Sequence, residues 1–142
     1  MLPKPSTVIK AKLQEVFDLV RTHLLQQNKP SFATLGHDGF PKPAYRGDDG
    51  CKCAIGCLIP DDKYTPTIEQ LGVFSIRVRA IVFDFVGLSR FNRNVTNKDD
   101  QRDMDTVINL LHELQITHDR SQPKIWPELL QAIAERFELA IV

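Results

Sequence analysis

Residues 73–88 read VFSIRVRAIVFDFVGL, and how this stretch folds decides the architecture. Phe74, Ile76, Val78 and Ala80 alternate with Ser75, Arg77 and Arg79, as along a half-buried strand. Val78, Ile81, Val82, Phe85 and Val86 equally suit one face of a helix. A strand needs a neighbour, and no second long strand pattern lies nearby. The stretch is therefore expected to be helical.

The helical signal on either side is clearer. Ser6 or Thr7 can cap a helix that runs to about Gln27, with Ile9, Leu13, Val16, Phe17, Val20 and Leu24 on one face and Lys10, Lys12 and Arg21 off it. Asn28-Lys29-Pro30 ends it, because the residue before proline avoids the helical region. Asn97 is the expected N-cap of a later helix, with Asp99, Asp100 and Asp103 near its positive end and Met104, Val107, Leu111 and Leu114 as the buried stripe. Pro127 fits the first turn of a last helix with Leu130, Ile133, Ala134 and Phe137 inside, and Trp126 is expected to staple it to the core. Residues 30–44, with three prolines and two glycines, read as an irregular connection. Ala44-Tyr45-Arg46 and Cys51-Lys52-Cys53 flank Gly47-Asp48-Asp49-Gly50, the pattern of a short β-hairpin. The expected fold is a mainly helical α+β single domain over residues 1–142, with three or four helices around a small β-hairpin.

Composition narrows the function. The 142 residues carry 18 basic and 18 acidic side chains, so no net field attracts a polyanion, and nucleic acid is not the expected partner. No apolar run approaches the roughly 20 residues that span a bilayer, so no membrane association is expected. All three cysteines fall within seven positions, an odd number unsuited to a secreted disulfide framework. With no secretory leader visible in MLPKPSTVIKAKLQEVF, the expected compartment is the reducing cytoplasm. There is no P-loop, dinucleotide fingerprint, HExxH or GxSxG. The sequence carries no signal for an oligomeric state.

The chemistry concentrates in residues 45–64, YRGDDGCKCAIGCLIPDDKY. Three readings compete. Cys51, Cys53 and Cys57, with His37 upstream, are zinc-compatible ligands, but the second ligand pair of a structural site is missing, so neither a metal nor another cofactor is expected. Cys53 follows a glycine turn beside Lys52 and could serve as a nucleophile, with His118 as base and Asp119 as its orienting group; the reaction would then be a cysteine-dependent hydrolysis or transfer. Neighbouring His and Asp side chains usually diverge, and His118 also falls on the apolar stripe of its helix, where a buried core histidine is the simpler reading. In the favoured reading the segment is a scaffold and contact surface. Gly47 and Gly50 would serve the turn, Gly56 a close backbone approach, and Cys53 and Cys57 the filling of a tight space. Arg46 could pair with Asp48, Asp61 or Asp62, Tyr45 and Tyr64 would frame the same edge, and these six form the candidate binding surface. His23 and His112 lack metal-spaced partners and read as structural or solvated. Arg77, Arg79, Arg90 and Arg93 make a local basic stretch that could meet phosphate or an acidic protein, though a solvated surface is the simpler reading.

The run Tyr-Arg-Gly-x-x-Gly-x-Lys-Cys-Ala-x-Gly-Cys-Leu-Ile-Pro-Asp, Tyr45 to Asp61, resembles a motif of small, largely uncharacterised proteins of tailed phages and proteobacteria. Leu114-Gln115-x-x-His118-Asp119 with the following Trp126 is similar to their C-terminal half. The resemblance marks Tyr45, Arg46, Gly47, Gly50, Cys53, Gly56 and Pro60, and implies a phage or mobile-element setting without an established activity. Taken together, these features lead to an expected accessory protein that binds a host protein, with inhibition of a bacterial defence or regulatory system as one form.

Overall fold

The computed structural model describes residues 6–34, 38–72 and 75–141. Four helices, α1 (Thr7–Gln27), α2 (Ile76–Phe85), α3 (Lys98–Arg120) and α4 (Trp126–Arg136), accompany one two-stranded antiparallel sheet of β1 (Phe32–Ala33) and β2 (Lys42–Pro43). The fold is the expected mainly helical α+β. Short 3-10 turns punctuate the connections, among them Gly56–Leu58, Asp61–Lys63, Pro66–Gln70 and Ser89–Asn92.

The long helices start at the expected caps, and α1 ends through a left-handed asparagine rather than through the proline that follows. The Ser6 hydroxyl accepts from the Ile9 amide at the head of α1, and Asn28 closes it in the left-handed conformation with its N–H on Leu24 O. Asn97 caps α3 by accepting from the Asp100 amide. The heads of these two helices are joined, because Asp103 accepts from both the amide and the hydroxyl of Ser6. All six apolar residues expected on the inner face of α1 are buried, and they pack with α3 and α4 into one cluster that runs from Ile9 to Phe137. Trp126 is fully buried, and its indole N–H donates to Ser121 O.

Residues 76–85 form a helix. Val78 and Val82, four apart, are fully buried, whereas Ile76 is 75% exposed. A strand would have placed Ile76 and Val78 on one face. Phe74, part of the alternating pattern, lies outside the described residues. No described helix is long and apolar enough to cross a membrane.

The β element differs from expectation. The 44–53 hairpin shrinks to a single antiparallel bridge between Arg46 and Lys52, and the regular pairing lies in the segment read as an irregular connection, Phe32 opposite Pro43 and Ala33 opposite Lys42. Side chains capture the backbone groups that would have extended the ladder. Glu69 accepts from the Tyr45 and Arg46 amides, and Gln27 bonds both the N–H and the C=O of Lys52.

Candidate functional site

The cysteine-rich segment is a plug in the core more than a surface loop. Cys53, Ala54, Ile55, Leu58 and Ile59 are each at most 2% exposed, and the Gly56–Leu58 turn packs against α1. Burying this much backbone requires a partner for each of its polar groups. Helix α1 supplies Gln27, whose amide pairs with Lys52 as a neighbouring strand would, and His23, whose Nε2 donates to Lys52 O. Helix α3 supplies Gln115, whose Oε1 accepts from the Ile55 amide. Gly56 is required by close approach: a Cβ there would stand 2.1 Å from Tyr45 O. Gly50 is required by its φ of +84° in the turn. Gly47 opens that turn, its carbonyl accepting from the Gly50 amide, and packing is what demands glycine there, since a Cβ would meet Ser31 Oγ at 2.9 Å and Phe32 O at 3.1 Å.

Asp119 lines a cleft with Cys53 and bonds to His118, but the arrangement is structural. His118 is 1% exposed, with its ring 5.7 Å from that of Trp126. Its Nε2 accepts from the Ser31 amide at 2.8 Å, so the ring proton sits on Nδ1 and is donated to Asp119 Oδ1, also at 2.8 Å. The adjacent Asp thus orients the imidazole, against the expectation for sequence neighbours. Both ring nitrogens are thereby occupied, and neither is left to take a proton from a thiol. Cys53 Sγ accepts instead from the Gly56 amide, and burial pushes its pKa up to about 12. Burial likewise raises Cys57 to about 12 and moves Cys51 upward. The segment holds neutral thiols, not a thiolate.

This predicts inert cysteines. With a pKa about three units above that of a free thiol, Cys53 and Cys57 should be alkylated by iodoacetamide at pH 8 roughly a thousandfold more slowly than free cysteine. The measurement is mass-resolved labelling of the folded protein, with labelling in denaturant as the reference. Rapid modification of Cys53 alone would restore the nucleophile reading.

Among the described residues, no three His, Cys, Asp or Glu side chains form a group that could hold a metal ion. Cys57 Sγ donates to Ala54 O, and His37, the upstream candidate ligand, lies outside the described residues.

The six candidate binding residues divide into two sets. Tyr45, Arg46 and Tyr64 turn inward around Glu69, which sequence reasoning missed. One Glu69 oxygen accepts from the Tyr45 amide; the other accepts from the Arg46 amide and from the Tyr64 hydroxyl at 2.6 Å. The Tyr45 hydroxyl donates to Leu71 O. The Arg46 guanidinium donates to Ile59 O, pairs with Asp61 at 2.7 Å and lies 5.1 Å from the Tyr64 ring centroid. Asp48, Asp61 and Asp62 are exposed. Asp48 is nonetheless fixed, because its amide donates to Phe32 O and its carboxylate accepts from the Thr34 amide. Phe40, two residues before β2, is 70% exposed and was not singled out from the sequence.

Between this unit and the outer face of α3 lies a cleft of about 290 Å³, lined by Tyr45, Glu69, Gln115 and Asp119 among others. Its carboxylates are engaged: Glu69 as above, and Asp119 Oδ1 by His118 and Gln115. Such an arrangement holds the plug in place.

Fold and site together define a small mainly helical α+β protein whose glycine- and cysteine-rich segment is locked between two helices. No family model, curated protein or solved structure matches the chain.

Proposed function

We propose that the chain is an accessory protein that acts by binding a host protein, in the phage or mobile-element setting that the resemblance of Tyr45–Asp61 implies. Inhibition of a bacterial defence or regulatory system is one form such binding takes. One observation carries the reading: residues 38–64 turn one set of side chains inward and another outward. Tyr45, Arg46 and Tyr64 hold the segment rigid from within, while Phe40 and the carboxylates of Asp48, Asp61 and Asp62 are exposed on it. A rigid surface loses little entropy on association, and an exposed aromatic ring supplies the apolar anchor typical of strong interfaces. The acidic groups select a partner that presents Lys or Arg beside an apolar recess.

The test compares variants in a tagged pull-down from bacterial host lysate. A protein retained by the wild type should be lost with Phe40→Asp, and should bind the Asp62→Lys variant about tenfold more weakly, the loss of roughly one desolvated charge pair. Thermal unfolding of both variants should match that of the wild type, because the substituted side chains are exposed. Recovery of no partner, equal retention by all three proteins, or an intrinsic turnover activity would overturn the proposal.

A further inference from the structure

A second cleft, of about 300 Å³, lies between α2, residues 91–95 and the first turns of α3. No described residue lines both clefts, and along α3 the nearest lining residues, Met104 here and His112 at the first, are eight residues or about 12 Å apart at the α-helical rise. The two sites are therefore physically separate.

The second cleft has its own chemistry. Its wall is apolar: Phe83 and Phe91 meet edge to face with centroids 5.6 Å apart, and Met104 and Ile76 continue the surface. Its polar lining consists of Arg79 and Arg93, with amides including Asn94 and Gln101, and among the described residues no carboxylate lines it. The nearby carboxylates have other partners. Asp84 accepts from Asn92, Asp100 pairs with Arg90, and Asp105 accepts from Gln101. Arg79 Nε is buried and finds no hydrogen-bond partner among the described residues. Two guanidinium forks on one cleft suit an oxyanion, which their terminal N–H groups can hold bidentately.

We infer that this cleft binds a small organic oxyanion, a carboxylate or a phosphate carried on an aromatic or apolar body. Arg79 and Arg93 take the charged head, and the body lies against Phe91, Met104 and Ile76. The volume sits at the lower end for ligand pockets and limits the body to about one ring. The basic stretch at 77–93 thus divides: Arg90 is occupied by Asp100 and stacks over Phe91 at 4.7 Å, while Arg79 and Arg93 turn to the cleft.

The experiment is an amide-resolved NMR titration of the intact protein with phenyl phosphate, benzoate, inorganic phosphate and benzyl alcohol. Phenyl phosphate or benzoate should give saturable shifts confined to residues 76–95 and 101–104. The tighter of the two identifies the head group. Inorganic phosphate and benzyl alcohol should each bind about tenfold more weakly or worse, since each lacks one half of the ligand. Arg79→Met, which keeps the packed stem, should weaken the aromatic anion about tenfold; so should Arg93→Met, an exposed position whose substitution leaves folding intact. Phe40→Asp, at the distant loop, should leave the titration unchanged. Absence of saturation by either aromatic anion at millimolar concentration would overturn the inference. Equal binding of benzyl alcohol, or affinity unaltered by both arginine substitutions, would do the same.

Discussion

Gly56→Ala should cost about 3 kcal/mol of folding stability or more, at the upper end of what overpacking a protein interior usually does. The added methyl would stand 2.1 Å from Tyr45 O, 2.9 Å from its carbonyl carbon and 3.1 Å from its Cα. These are backbone atoms, so no rotamer change relieves the clash. Nor is the Tyr45 backbone free to retreat. Its amide is held by Glu69, its side chain by Leu71 O, and the next residue is bridged to Lys52. The plug would have to back away from Tyr45, disturbing the core packing of Ile55 and Leu58. Gly72→Ala is the control, because a Cβ there meets nothing within 4 Å and its φ is not positive. It should change stability by no more than about 0.5 kcal/mol. Urea denaturation of the two variants beside the wild type measures the difference. Equal stabilities would mean that the motif is not the close-packed plug described.

The contrast between these two glycines shows what was legible in the sequence. Helix α1 was readable to within a residue or so at each end because its burial is periodic and local: six apolar side chains at helical spacing, a serine before them and an asparagine after. The same holds for Asn97 and α3. For residues 76–85 the local pattern supported two answers, and the lack of a partner strand decided between them. The sheet was not readable, because two-residue strands carry no alternation, and Pro41 and Pro43 disguise an edge on which a missing N–H costs little. The glycine- and cysteine-rich segment was conspicuous, yet its polar residues suggested a surface. What buries it lies far away in the chain: Gln27, Glu69 and Gln115 satisfy its backbone across 25, 24 or 23, and 60 residues. An isolated glutamate before a loop carries no mark of such a role. His118 was placed correctly on the apolar stripe, whereas its bond to Asp119 depends on a side-chain geometry that spacing does not specify.

Glu69→Ala should therefore destabilise the protein by about 3 kcal/mol, although Glu69 belongs to no motif and is only half-buried. The substitution orphans three donors at once: the Tyr45 amide at 2.8 Å, the Arg46 amide at 3.0 Å and the Tyr64 hydroxyl at 2.6 Å. Each unsatisfied donor costs about 1–3 kcal/mol when buried and less where water reaches it, so the total stays below the sum of the upper values. Glu69→Gln keeps one acceptor oxygen but turns an NH2 group toward the remaining donors, and should fall between alanine and wild type. The Tyr64→Phe substitution isolates one of the three bonds. It should destabilise the wild type by about 1 kcal/mol and the Glu69→Ala variant by much less, since its partner is already gone. Additive losses would show that Tyr64 and Glu69 act independently. A loss below about 0.5 kcal/mol for Glu69→Ala would show that the segment needs no external anchor. The same variant bears on binding. Because Glu69 positions Arg46, and Arg46 grips Asp61, losing the carboxylate should weaken the recognition surface without altering any exposed residue on it.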